Sequence, residues 1–213
     1  MERIYNRIIG PFYHLYNKIQ IKLLGGKLGR NTIIANKLYY RVPRGAHVEI
    51  GNNFTFTSSG CYNTLARNIK GCIFLQNRKA ELIIGNNVGI SSSTLWVTNH
   101  VEIGDFTNIG ADCMILDTDC HSLNWHFRGK RGGRDEQGRS IDQLHTKTAP
   151  VKIGCDVMIG ARCIILKGVT IGDRAVIGAG SIVSKDIPAD CIAAGNPCRV
   201  IKMVGKADVN NDQ

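Results

Sequence analysis

Apolar residues recur at every sixth position through Ile153, Ile159, Ile165, Ile171, Ile177 and Val183. Neither the 3.6-residue period of a helix nor the period of 2 of a strand requires that spacing. It predicts a β-helix, in which each repeat turns one side chain inward. Gly154, Gly160, Gly172 and Gly178 follow register residues, and Asp or Asn commonly comes next, a pattern expected to supply positive φ at tight corners. The register continues upstream through Ile103, Ile109 and Ile115, through Ile84 and Ile90, and more loosely through Ile50, Phe56 and Tyr62. Most of the chain therefore reads as one solenoid. Ile84 to Ile103 spans 19 residues, one beyond three repeats, which predicts a bulged corner. Ile115 to Ile153 spans 38, two beyond six repeats, which predicts a loop extruded between Leu116 and Val151. Long irregular loops in compact domains usually carry function.

The flanks differ from the repeats. Ile4, Ile8, Phe12, Leu15, Ile19 and Leu23 fall at helical spacing, with Arg3, Arg7, Lys18 and Lys22 between them and Gly10-Pro11 interrupting. One amphipathic helix or two short ones are expected. The segment either caps the hydrophobic end of the first coil or rests as a basic amphipathic helix on an anionic membrane. Residues 31–83 read as degraded early coils, with Tyr39, Tyr40, Phe54 and Phe56 among short apolar runs. Pro188 and Pro197 end the repeat, and a short terminal helix or tail should follow, disordered from Asp208 to Gln213. The expected division is a helical segment over 1–30, a β-helix over 31–203 with its loop at about 122–150, and a polar tail over 204–213.

Composition narrows the partners. With 213 residues, 43% of them hydrophobic, one domain with a continuous core suffices. Lys and Arg outnumber Asp and Glu by 27 to 17, which favours anionic partners. Nucleic acid is not expected, because the basic residues are dispersed and no binding motif is present. The 8 Cys form no CxxC pair, and Cys113 and Cys163 replace aliphatic residues within repeats, so reduced thiols in a cytoplasmic protein are expected. No apolar run is long enough to span a bilayer.

IGAGSIVSKDIP and AAGNPCRVIK, within Ile153 to Lys202, resemble the C-terminal half of the hexapeptide-repeat acyltransferases, especially the galactoside and maltose O-acetyltransferase branch. ILDTDCHSL is similar to the active-site stretch of relatives that acetylate surface polysaccharides. The resemblance covers residues 84–203. It implies an all-β, left-handed parallel β-helix, an exception to the usual right-handed crossover. It also implies acetyl-coenzyme A as co-substrate with no metal, a homotrimer with active sites between subunits, and a sugar or glycan acceptor such as a capsule or O-antigen precursor. The protein would be cytoplasmic, with peripheral contact at the inner membrane face left open.

A sugar hydroxyl needs a general base with a pKa near neutrality, and histidine supplies one. The resemblance places that base at His121, six residues after Ile115. Asp119, two residues away, is the expected partner fixing the ring, with a backbone carbonyl or Asp117 as the alternative. The family's cofactor contacts map onto Ala161, Ala179, Ser184, Lys185, Arg199 and Lys202, the basic members facing phosphates. Ser91-Ser92-Ser93-Thr94-Leu95-Trp96 departs from the galactoside pattern, so galactosides are not the expected acceptor. Trp125, suited to stack on a sugar ring, and Asn99, suited to a hydroxyl, are the acceptor candidates, with packing or turn formation as competing roles. The basic run Arg128 to Arg139 suits either a pyrophosphate-bearing acceptor or a flexible arm over the active site. Other readings stay open: antibiotic or amino-sugar N-acetylation on the same fold, a γ-class carbonic anhydrase-like site of His100, His121 and His126, and a non-catalytic trimeric scaffold.

Overall fold

The computed structural model describes residues 2–58, 63–66 and 69–205, with side chains from residue 9 onward. Helix α1 (Glu2–Leu23) precedes a coil of short strands that stack in parallel on three faces. The first face stacks Lys27–Leu28, His47–Ile50, Glu81–Ile84, His100–Ile103, Val151–Ile153 and Thr170–Ile171. The second begins at Ile33–Ala35 and runs through Thr55–Thr57, Gly89–Ser91, Asn108–Ile109, Met158–Ile159 and Val176–Ile177 to Cys191–Ala194. The third runs from Tyr39–Arg41 through Cys72–Leu75, Thr94–Val97, Met114–Leu116 and Ile164–Ile165 to Ile182–Val183.

Register residues stack directly on one another. Ile50, Ile84, Ile103, Ile153 and Ile171 form one buried column, and Ile109, Ile159 and Ile177 another. Each coil covers the apolar edge of the next, giving one continuous core. The strands within a repeat are only two to four residues long, because side-chain direction alternates and each face needs one or two inward positions.

The glycines serve this stacking differently from the expectation. Gly154 and Gly172 do not have positive φ; that conformation falls two residues later, at Asp156 (57°) and Arg174 (57°). A Cβ on Gly104 would lie 2.6 Å from the carbonyl carbon of Gly154, and one on Gly172 would lie 2.3 Å from the Ala189 nitrogen. The column exists so that successive corners can touch. Beside it, side-chain oxygens tie coil to coil: the Asn52 amide N–H donates to Asn86 Oδ1 at 2.9 Å, and the Asn86 N–H to Asp105 Oδ1 at 2.7 Å.

Helix α1 does cap the first coil, but not with its most apolar row. Asn17 and Ile21 are fully buried against the coil, whereas Phe12, Leu15, Ile19 and Leu23 face outward. The first coil has no neighbour on that side, so its backbone groups need other partners. Asn17 Nδ2 donates to the Asn36 carbonyl at 2.7 Å, Gln20 Nε2 to the Tyr40 carbonyl at 3.2 Å, and the Ile34 N–H donates to His14 Nδ1 at 3.2 Å. The helix runs unbroken through Pro11.

Other expectations meet the structure as follows. Ile73 is the inward residue of the third face in the second coil, stacked between Tyr40 and Leu95; Tyr62 lies outside the described residues. The bulged corner expected between Ile84 and Ile103 is found at Thr98–Asn99. Where a short terminal helix or tail is expected, the chain forms a strand, Arg199–Met203, antiparallel to Cys191–Ala194, which covers the edge of the second face. The tail from Asp208 lies outside the described residues. The described cysteines are free thiols; Cys113 and Cys163 are buried, and their Sγ atoms donate to the carbonyls of Gly160 and Gly178 at 3.1 and 3.2 Å.

Candidate active site

The chain leaves the coil after Met114–Leu116 and returns at Val151–Ile153. Because Ile103 pairs with Ile153, the next inward register position after Ile115 belongs to Ile153, and His121 sits in the loop instead. An antiparallel bridge between Thr118 and Thr148 closes the loop at its base. The Ala149 N–H donates to the Asp117 carbonyl and the Asp119 N–H to the Lys147 carbonyl, each at 3.0 Å. Beyond this neck the loop holds two short helices, α2 (Gly129–Gly132) and α3 (Ile141–Leu144). It is more ordered than its composition suggests. Ser140 caps α3 by accepting from the Gln143 N–H at 3.5 Å.

Helix α3 delivers the group that addresses the histidine. Asp142 is 4% exposed, and its Oδ2 lies 2.7 Å from His121 Nδ1. The same carboxylate accepts the Ser122 N–H at 2.6 Å and the Gly129 N–H at 2.8 Å. The His121 hydrogen bond and these two amides hold its pKa down to about 2, so it is a carboxylate at neutral pH. A carboxylate can only accept, so Nδ1 carries a proton, and in the neutral ring the lone pair lies on Nε2. The His121 side chain is 68% exposed, and Nε2 has no hydrogen bond among the described residues. A buried, charged orienter behind an open imidazole is the arrangement of a general base.

Asp119, the expected partner, is engaged elsewhere. Its Oδ1 pairs with Lys167 Nζ at 3.0 Å, its Oδ2 is buried without a partner, and only its backbone carbonyl meets His121, accepting the His121 N–H at 2.7 Å. Asp117 is fully buried and pins the bulged corner, accepting the Thr98 N–H at 2.7 Å and the Asn99 N–H at 2.6 Å. Burial raises the Asp117 pKa against those bonds. Asn99 is thereby held, exposed, on the corner from which the loop springs. Trp125 is half exposed, with the His126 ring centroid 3.5 Å away and the Arg131 guanidinium 4.9 Å from its ring centre. Behind Gly129 lies a recess of about 430 Å³ lined by Gly129, Lys130, Gly133, Arg134 and Ser140. Several cations of the basic run are committed within the loop: Arg128 donates to the carbonyls of Ser122 and Leu123, and Arg139 to Asp135.

The three histidines of a metal reading do not converge. His100 lies on the first face between Glu81 and Glu102, His121 is held by Asp142, and His126 rests on Trp125. No cluster of three or more His, Cys, Asp or Glu suited to a metal occurs among the described residues.

Residues 150–185 match the model of the bacterial transferase hexapeptide (six repeats). Over 59 residues, 28% of this chain and 29% of the relative, the sequence is 58% identical to the galactoside O-acetyltransferase of Escherichia coli (strain K12). Over 54 residues, 25% of this chain and 23% of the relative, it is 52% identical to the 2,3,4,5-tetrahydropyridine-2,6-dicarboxylate N-acetyltransferase of Staphylococcus aureus (strain Newman). The fold matches AntD, an N-acyltransferase from Bacillus cereus solved with dTDP and 3-hydroxybutyryl-CoA, at a TM-score of 0.66 and 22% identity, covering 92% of each chain. Residues 150–185 thus carry the hexapeptide repeat of bacterial transferases, and the chain is similar to acyltransferases built on that repeat. Its coil is a left-handed parallel β-helix. The alignments span less than a third of the length of either curated relative.

The positions taken from the hexapeptide-repeat acyltransferases fall on two edges of the coil. Ser184 and Lys185 follow the last strand of the third face, on the same corner as the root of the His121 loop. Lys167, paired with Asp119, stands on that corner in the coil between them. Ala161 and Ala179 stack on the opposite edge of the third face, where a Cβ on Gly160 would lie 2.5 Å from the Ala179 nitrogen. Arg199 and Lys202 are carried by the final antiparallel strand. A single chain does not gather all six around His121. Sequence reasoning missed Asp142 and Lys167; the capping pattern Ser140-Ile141-Asp142-Gln143 was the one available signal that the loop contained a helix.

Proposed function

We propose that this chain is an acetyl-coenzyme A-dependent acetyltransferase that acts on a sugar hydroxyl of a glycan precursor. The observation that carries this reading is the His121–Asp142 pair, with Nε2 exposed at the mouth of a loop extruded from a hexapeptide-repeat coil. Acetyl-coenzyme A would supply a thioester carbonyl. Nε2 takes the proton of the acceptor hydroxyl as its oxygen bonds to that carbon, and Asp142 stabilises the imidazolium that forms. The C–S bond breaks, and the sulfur recovers a proton, for which the imidazolium is the nearest donor.

Ser184, Lys185, Arg199 and Lys202 suit the phosphates, and the stacked corner at Ala161 and Ala179 suits a pantetheine arm that needs close backbone approach. Because Ser184 and Lys185 lie on one edge of the third face, Ala161 and Ala179 on the other, and Arg199 and Lys202 on the strand that ends the second, a cleft that uses all of them takes surface from each of two copies. We therefore propose a homotrimer with sites between subunits. Asn99 and Trp125 are the proposed acceptor contacts, and the loop recess would take the remainder of the acceptor.

The test is thiol release from acetyl-coenzyme A with a panel of sugars, nucleotide sugars, amino sugars and antibiotics, wild type beside His121→Ala. Acceptor-dependent release reduced about 10²–10⁴-fold in the variant is expected. Equal release in both proteins removes His121 from the mechanism, and transfer confined to amines reassigns the acceptor to N-acetylation.

A further inference from the structure

The outward face of α1 has no partner among the described residues. Phe12, Leu15, Tyr16, Ile19 and Leu23 form one continuous stripe at helical spacing, Phe12 64% and Leu23 78% exposed. An isolated exposed apolar residue needs no explanation, but five along one helix face do. Capping the coil does not account for them, because Asn17, Ile21, His14 and Gln20 on the other side do that.

The charge around the stripe indicates what covers it. Residues 1–48 hold nine Lys and Arg against the single acid Glu2, so +8 of the net +10 sits in the helix and first coil. Lys22, Arg30, Lys37 and Arg41 are exposed there. Pairing this stripe with the same stripe of a second copy would bring two such cationic surfaces together, whereas a lipid surface rich in acidic headgroups offers both an apolar layer and opposite charge. The helix lies on rather than in such a surface, since no described helix is long and apolar enough to cross a membrane.

We propose that α1 is a membrane-surface anchor, and that its outward stripe inserts into the interface of an anionic bilayer while the surrounding cations meet lipid phosphates. The anchor is the α1 end of the coil. The loop bearing His121 emerges after the fourth coil, three strand spacings further on, or about 14 Å along the stack. The inference stands whether or not the chain transfers acetyl groups.

The test is co-sedimentation with vesicles of phosphatidylcholine mixed with phosphatidylglycerol, against phosphatidylcholine alone, using the whole chain. Expected are binding to the anionic vesicles only, release at high salt, and at least tenfold weaker binding for Phe12→Ser/Leu15→Ser and for Lys22→Glu/Lys37→Glu. These side chains are exposed, so both variants should keep the wild-type circular dichroism and melting curve. Absence of anionic vesicle binding by the wild type overturns the proposal, as does equal binding by the folded Phe12→Ser/Leu15→Ser variant. A change of oligomeric size in that variant, with no vesicle binding by the wild type, also overturns it and assigns the stripe to contact between copies.

Discussion

At the scale of single residues, the site depends on a carboxylate that cannot be reached by counting along the chain from His121. Asp142 lies 21 positions away and arrives through α3, so proximity in sequence pointed to Asp119, which is instead paired with Lys167. Asp142→Asn removes the charge that fixes the Nδ1 proton and leaves one oxygen, enough for the Ser122 N–H at Oδ1 or the Gly129 N–H at Oδ2 but not for both. The expected result is a fall in kcat of about 10–100-fold with little change in KM, read by steady-state kinetics. Asp119→Asn, by contrast, should act through the loop neck and Lys167 and alter loop stability more than the pH profile. The depressed pKa of Asp142 also bears on stability. Its contribution is present above the ordinary carboxylate value of 3.8 and is lost as pH falls through about 2, so acid melting curves of wild type and Asp142→Asn should converge in that range. The corner glycines make a second residue-level case. Gly104→Ala forces a Cβ to 2.6 Å from backbone carbon in the next coil, and a loss of about 1–3 kcal/mol is expected from thermal melting.

At the scale of elements, legibility followed periodicity. The columns through Ile103, Ile109 and Ile115 and through Ile153 to Val183 were readable because one inward residue per repeat imposes a pattern no other fold produces. The third face of the early coils was not, since Ile73 reaches its register only after a long excursion. Helix α1 was readable as a helix but misleading in orientation. Its polar residues Asn17, Gln20 and His14 face the protein because an open coil edge presents unpaired backbone groups, which apolar side chains cannot satisfy. Asn17→Leu should therefore destabilise the cap by about 1–3 kcal/mol for each backbone group it orphans, despite raising the hydrophobicity of a fully buried position; hydrogen exchange at Asn36 and Leu38 would report it. His14 adds a pH dependence. Burial and the Lys18 charge lower its pKa, so the folded cap favours the neutral ring that accepts the Ile34 N–H. Its contribution is full above the unfolded value near 6.5 and is lost as pH drops below it, so protection of the first coil should weaken under mildly acidic conditions and persist in His14→Gln.

At the scale of the whole molecule, coil, cap and loop have separate physical origins and are joined at few points. Ile103 stacks on Ile153, Ile109 on Ile159 and Ile115 on Ile165, and the buried core contains no residue between 116 and 150, so the coil's packing does not depend on the extruded loop. Replacing residues 120–146 with a short Gly-containing turn should preserve the strand spectrum and most of the thermal stability while abolishing acceptor-dependent thiol release. A collapse of the fold in that variant would show that the loop is part of the coil's support. The neck formed by Thr118 and Thr148 returns the chain to the point it left, whatever lies beyond it. The loop is thus an exchangeable cassette on a fixed frame: on the function proposed above, a new acceptor range would be acquired by rewriting one segment between two anchored threonines, with the stacked coils inherited unchanged.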